Sequence, residues 1–117
     1  MDTNTSFNTA EQLLSEAKEQ MMKPAEDVVP YSVCHKSFYA ISHYLKGFLQ
    51  QKGVSCDENT DMEKLVELAT SEESAFSVLD NPCLKYPKET GDVWMNIDRA
   101  TDFIELAEKT RSTIGLK

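Results

Sequence analysis

Apolar residues recur every three or four positions through most of this chain, which is the spacing of one face of an α-helix. The clearest stretch begins at Pro30 and ends at about Lys52, and its apolar seam consists of Cys34, Phe38, Ile41, Leu45 and Phe48. Proline suits the first turn of a helix, and Gly53 suits a left-handed stop. The pattern predicts a helix about 33 Å long, at about 1.5 Å per residue.

The same spacing predicts a shorter helix before this one. It begins near Asn8 or Thr9 and ends before Pro24, and its apolar stripe consists of Ala10, Leu13, Leu14, Ala17 and Met21. Residues 1–8 precede the stripe, so we expect a loosely ordered N-terminal segment there.

Two capping-box patterns predict helical segments after the long helix. Thr60 followed by Glu63 predicts a helix whose inner face consists of Met62, Leu65, Val66 and Ala69. Thr70 followed by Glu73 predicts a break and then a short helix, which carries Ala75, Phe76 and Leu79.

The C-terminal part predicts a loop and a last helix. Residues 81–91 contain two prolines and a glycine without helical spacing, which is typical of a loop. The last helix begins at about Asp92 and ends at Ile114, before Gly115, and its seam consists of Val93, Ile97, Ala100, Ile104, Ala107 and Ile114, flanked by Trp94, Phe103 and Leu106. Nothing alternates with the period of a β-strand. Residues 1–117 therefore predict one all-α domain, an up-down bundle of four to five helices.

Charge and cysteine content restrict the kinds of partner and the cellular location that we expect for this bundle. The chain has 12 basic and 20 acidic side chains, for a net charge of −8. Such a surface repels phosphates and anionic lipid, so we expect no generic nucleic-acid binding and favour a basic partner. No apolar run approaches a membrane span, and residues 1–20 do not resemble a signal peptide. Three cysteines without a CxxC pair favour reduced thiols and a cytoplasmic protein.

Common catalytic and metal-binding motifs are missing from the sequence. No P-loop, GxGxxG, HExxH or nucleophile elbow occurs. The two histidines, His35 and His43, share a helix face but lie about 12 Å apart along its axis, too far for one zinc ion. We therefore expect neither a metal site nor a cofactor.

The long helix, read with its surroundings, resembles a known family. Residues 34–49 read CHKSFYAISHYLKGFL, are closed by KGV at 52–54, and are similar to a helix of HEPN domains (higher eukaryotes and prokaryotes nucleotide-binding). LKYP at 84–87 is similar to the RYP element before their last helix, and residues 100–114 are similar to that helix. The resemblance covers roughly residues 16–114. It implies a four- or five-helix bundle, usually dimeric, with nucleotidyltransferase or toxin–antitoxin partners.

Catalysis is where the chain departs from this family. Many HEPN proteins are RNases with an arginine followed, four to six residues later, by a histidine in the last helix. Here His35 and His43 precede Arg99 and Arg111, so this order does not occur. The resemblance thus implies a non-catalytic binding or interaction module that forms a homodimer. It also implies a nucleotidyltransferase-type partner or a role in a toxin–antitoxin type system, with a nucleotide as the candidate ligand. Two alternatives stay open: an RNase toxin with a non-standard site built on His43, Lys46 or Arg99, and an unrelated helical adaptor.

The candidate binding residues lie on the long helix. Lys36, Tyr39, His43 and Lys46 are spaced three, four and three residues apart, which places them on one side. Cations beside an aromatic ring and an imidazole suit a phosphate and a stacked base. The other interpretation is a solvated or interhelical face, in which the lysine stems cover the core and Tyr39 packs.

Gly47 interrupts the same helix, where a glycine costs about 1 kcal/mol relative to alanine. Ala40 lies seven residues earlier on the same side, so the two residues allow another helix to approach closely. That helix belongs either to the same chain or to a second copy, and the second case predicts a dimer seam at Ala40 and Gly47.

Overall fold

The computed structural model describes residues 3–54, 60–79 and 97–115. They form four α-helices and two short 3-10 helices: α1 (Thr3–Met21), a 3-10 helix (Ala25–Asp27), α2 (Pro30–Gln51), α3 (Met62–Glu72), a second 3-10 helix (Ser74–Leu79) and α4 (Ile97–Ile114). These ranges contain no strand, so the all-α prediction is confirmed. None of their helices is long and apolar enough to cross a bilayer.

Helix α2 is the centre of the bundle, because α1, α3 and α4 all contact it. Its start at Pro30 and its end before Gly53, which has a φ of 73°, match the predicted bounds. Half of its residues are buried, which is more than one narrow stripe. They are Val33, Cys34, Ser37, Ala40, Ile41, Ser42, Tyr44, Leu45, Gly47, Phe48 and Leu49.

Helix α1 begins at Thr3, well before the predicted start near Asn8. Residues 3–8 are therefore helical, and the expectation of a loosely ordered segment is wrong there; residues 1 and 2 lie outside the described ranges. Ser6 is fully buried and Phe7 is only 8% exposed. The apolar pattern missed this turn because Phe7 is a single apolar residue among polar neighbours.

Phe7 is accommodated by Gly47. A Cβ atom at Gly47 would lie 2.6 Å from Cε1 and 2.8 Å from Cδ1 of the Phe7 ring. The missing side chain therefore lets the ring lie against the α2 backbone. Ala40 is fully buried as well. Because both residues are covered within one chain, the prediction that they form a dimer seam is corrected in favour of intramolecular packing.

The N-cap of α3 lies one residue later than predicted. Asp61, not Thr60, is the N-cap, and its Oδ1 accepts a hydrogen bond of 2.9 Å from the backbone N–H of Lys64. Aspartate is among the strongest N-cap residues, since its oxygen satisfies an N–H that has no partner within the helix. The predicted inner face is confirmed, because it consists of the buried residues Met62, Leu65, Val66 and Ala69.

The break after α3 falls at Glu73, near its predicted place. The Oε1 atom of Glu73 accepts a hydrogen bond of 3.4 Å from the N–H of Ala75, in the second 3-10 helix. Phe76 and Leu79 of that helix are buried, whereas Ala75 is exposed. The Phe76 ring meets Phe48 of α2 edge-on, with centroids 4.8 Å apart, and closes one end of the core.

Helix α4 is described from Ile97, so the predicted start at Asp92, Val93, Trp94 and the predicted loop 81–91 lie outside the described residues. Its packed side consists of Ala100, Phe103, Leu106, Ala107 and Thr110. Ile104 and Ile114 are only partly buried. Phe103, predicted as a flank, is thus central, and the buried Thr110 hydroxyl is satisfied because it donates to the Leu106 carbonyl at 2.8 Å.

Candidate functional site

The four predicted binding residues all lie on α2 but have different surroundings. Lys36 Nζ reaches across to α1 and pairs with Glu16 Oε1 at 2.9 Å. The hydrogen bond and charge of Lys36 lower the pKa of Glu16. The cation predicted to hold a phosphate is therefore balanced by a carboxylate of the same chain.

His43 provides no second cation at neutral pH. The side chain is half-buried, and its Nδ1 atom is buried without a hydrogen-bond partner. Burial lowers the pKa of His43, and the charge of Lys46 lowers it further. Because an unperturbed histidine titrates near 6.5, His43 is neutral at pH 7. Lys46 is also half-buried. The pairing of Lys36 and the lowered pKa of His43 reduce the positive charge available for a phosphate, and the phosphate site itself stays a prediction.

Tyr39 belongs to a different group, which we term the aromatic ridge: Tyr31, His35 and Tyr39. The Tyr31 and His35 rings are stacked with centroids 6.0 Å apart, and the His35 and Tyr39 centroids are 4.7 Å apart. Tyr31 is 47% exposed and Tyr39 43%, and His35 is exposed too. The four-residue spacing places the three rings on one face of α2. This spacing is visible in the sequence, but our prediction grouped Tyr39 with the lysines.

The ridge is joined to the core at one end and to a polar turn at the other. Phe38, which packs against the core, meets the Tyr39 ring edge-on at 5.3 Å. The turn before α2 holds the exposed acidic residues Glu26 and Asp27, followed by the exposed Val29. This end of the bundle therefore combines aromatic, aliphatic and acidic groups on its surface.

A second polar group, Glu11, Tyr44 and Arg111, joins three helices. The Oε1 atom of Glu11 on α1 accepts a hydrogen bond from the Tyr44 hydroxyl on α2 and one of 2.6 Å from Arg111 Nε on α4. Tyr44 is fully buried, and Glu11 is partly exposed. No sequence pattern indicates this network, because its members are far apart along the chain and share no motif.

The charge states of this network are fixed near neutral pH. Burial acts to raise the Glu11 pKa, but the hydrogen bonds from Arg111 and Tyr44 and the Arg111 charge outweigh it, so the pKa is lowered. Burial and the hydrogen bond to Glu11 raise the pKa of Tyr44, and Glu11 raises that of Arg111. A general acid or base works best with a pKa near the working pH. These shifts move all three groups away from it, so the network suits a structural clamp.

Within the described ranges, no group of three or more His, Cys, Asp or Glu residues is placed to hold a metal ion. The side chain of Arg99, one of the residues considered for a non-standard RNase site, lies outside what the structure describes.

Comparison with known proteins gives no match: no protein-family model, no curated protein and no solved structure matches this chain significantly. The resemblance to HEPN domains stays a proposal.

Proposed function

We propose that this chain is a non-catalytic, HEPN-like helical bundle that acts as a binding or interaction module. The observation that carries the proposal is the aromatic ridge, which is exposed on the central helix of the bundle. Tyrosines are enriched at protein interfaces, because they combine a large apolar area with a polar end. Helix α2 therefore serves the core on one side and a partner on the other.

Two features support the non-catalytic half of this proposal. The sequence has no Arg-to-His order, and the pKa values in the three-helix network are shifted away from neutral pH. The network stabilises the bundle instead of transferring protons.

The net charge of −8 favours a protein partner over a nucleotide. The pairing of Lys36 with Glu16 and the neutral His43 point the same way, since both reduce the attraction for a phosphate. The partners that we propose are a nucleotidyltransferase-type protein, as in a toxin–antitoxin type system, and a second copy of the chain. A homodimer would use a surface other than Ala40 and Gly47.

Co-expression with the product of the neighbouring gene tests the binding role. The wild-type chain is expected to co-purify with that protein, and the ridge variant Tyr31→Ala with Tyr39→Ala is expected to lose it. A matched control, Glu63→Ala with Ser71→Ala, changes two exposed residues of α3 and is expected to keep it. A complex that both double variants retain equally would contradict a role for the ridge.

One observation favours the RNase alternative: a neutral imidazole, as at His43, is able to accept a proton. We nevertheless expect purified protein to leave total RNA intact in a chelator-containing buffer, because the sequence lacks the Arg-to-His order and Lys36 is paired with Glu16. Gel electrophoresis of the RNA is the measurement. Cleavage by the wild-type protein that disappears in His43→Ala would establish an enzyme and refute the non-catalytic proposal.

A further inference from the structure

The length and spacing of the aromatic ridge match a helical ligand. From Tyr31 to Tyr39 the ridge extends about 12 Å along α2, or about two helical turns. With centroid distances of 6.0 and 4.7 Å, each ring lies next to the following one, so the three rings form one continuous row. A second helix that lies along this surface presents side chains to it at every fourth residue, the same repeat as the rings.

The charges around the ridge select for cations. Glu26 and Asp27 are exposed in the turn that leads into α2, and this turn carries one opposing cation, Lys23. Beside the ridge, the charge of Lys36 is balanced by Glu16. Aromatic ring faces attract cations as well, because their π-electrons make the face negative. The rings and the carboxylates therefore favour the same kind of ligand, and they disfavour nucleic-acid phosphates, anionic lipid and acidic peptides.

The aliphatic surface beside the turn suits the same ligand. Val29 at the start of α2 and Met22 just after α1 are both exposed. Lysine and arginine carry aliphatic stems that cover apolar surface while their charged ends reach a carboxylate. A cationic side chain is thus able to lie over Val29 with its charge near Glu26 or Asp27.

From these features we propose that the aromatic ridge and the acidic turn bind a cationic helical segment of a partner protein, with arginine or lysine at every fourth residue. The inference rests on the proposed binding function and specifies the chemistry of its partner. Cations of this segment lie over the Tyr31 and Tyr39 rings, and the residue nearest the start of α2 pairs with Glu26 or Asp27.

NMR titration of the ¹⁵N-labelled chain tests whether the ridge binds such a cationic helix. The probe is an alanine-based helical peptide with arginine at every fourth position, and a matched peptide carries glutamate at those positions. We expect the arginine peptide to shift the amide signals of Tyr31, His35 and Tyr39, and the glutamate peptide to leave them unchanged. Higher salt is expected to weaken the binding, since the carboxylates around the turn are solvated.

Two variants separate the contributions. Tyr31→Ala with Tyr39→Ala is expected to lower the affinity for the arginine peptide about tenfold, because two cation–π contacts are lost. Glu26→Gln with Asp27→Asn is expected to lower the same affinity about threefold to fivefold. The control Glu63→Gln with Glu72→Gln changes the net charge equally on exposed positions of α3, and is expected to stay within about twofold. Circular dichroism checks that each variant remains helical.

Three outcomes would overturn the inference. The first is equal weakening by the turn variant and the α3 control, which would indicate only general charge attraction. The second is no shift at the ridge with millimolar arginine peptide. The third is a ridge response to the glutamate peptide or to ATP. In each case, co-purification that depends on Tyr31 and Tyr39 would leave the binding function standing, and its absence would remove the function as well.

Discussion

Replacing Phe7 with alanine is expected to lower the free energy of unfolding by about 3 kcal/mol. Phe7 is almost fully buried, and its ring fills the space that Gly47 leaves on α2. Truncation leaves a cavity between the N-terminal part of α1 and Gly47 of α2. In a domain of this size, the melting temperature should fall by about 15 °C. Thermal and urea unfolding followed by circular dichroism measure both quantities.

Gly47 makes this experiment a test of one contact. In the wild-type background, Gly47→Ala is expected to destabilise the protein by about 1–3 kcal/mol, because the new Cβ overlaps the Phe7 ring. In the Phe7→Ala background the overlap is gone, and the same change should stabilise α2 by up to about 1 kcal/mol through helix propensity. A reversal of sign identifies the contact between the two residues.

Tyr39→Ala is the matched control, since it removes an exposed aromatic ring from the same bundle. Its effect is expected to stay within about 0.5 kcal/mol. If Phe7→Ala costs no more than this control, the N-terminal part of α1 does not pack against α2.

Glu11→Ala is expected to lower the free energy of unfolding at pH 7 by about 2 kcal/mol. The substitution leaves the buried Tyr44 hydroxyl without the acceptor that the structure gives it, and it removes the 2.6 Å hydrogen bond of Arg111. The Glu11 side chain is 41% exposed, so solvent screening keeps the loss well below that of a buried ion pair. Urea unfolding of both proteins gives the difference.

The pH dependence of this difference follows from the lowered pKa of Glu11. A carboxyl group whose pKa is lower in the folded than in the unfolded state adds stability above the unfolded value, here 4.5. That contribution is lost as the pH falls through the lower, folded pKa. The gap between wild type and Glu11→Ala should therefore be largest at neutral pH and narrow below about pH 5.

Glu16→Ala provides the control, because the pKa of Glu16 is also lowered, by Lys36. This ion pair is solvated and leaves no buried hydroxyl behind, so its loss should be smaller and should narrow over the same pH range. Equal losses in the two variants would show that Tyr44 does not depend on Glu11.

The ends of the helices illustrate how far local sequence determines structure. Pro30 and Gly53 bound α2 as predicted, because their effects on the backbone are local. The N-cap of α3 is Asp61, whereas the sequence pattern predicted Thr60. Adjacent threonine and aspartate have similar capping ability, so the sequence alone does not distinguish them. The start of α1 was misplaced further, because the burial of Phe7 depends on another helix.

The candidate site shows the same division. Lys36, Tyr39, His43 and Lys46 have the spacing of one side of α2, yet the structure gives two of them different neighbours. Lys36 is paired with α1 and Tyr39 belongs to the aromatic ridge. Spacing determines which side chains are neighbours along a helix, whereas the charge that each presents depends on residues brought in from other helices.

The sequence by itself determined that the described part of this chain is helical, where its long central helix begins and ends, and which residues of α3 face the core. These properties follow from the helical repeat and from local backbone preferences. Only the tertiary structure decided that Phe7 lies against Gly47, that Glu11, Tyr44 and Arg111 meet, and that Tyr31, His35 and Tyr39 stay exposed together. Contacts between helices depend on how their faces pack, and a short-range pattern contains no measure of that packing.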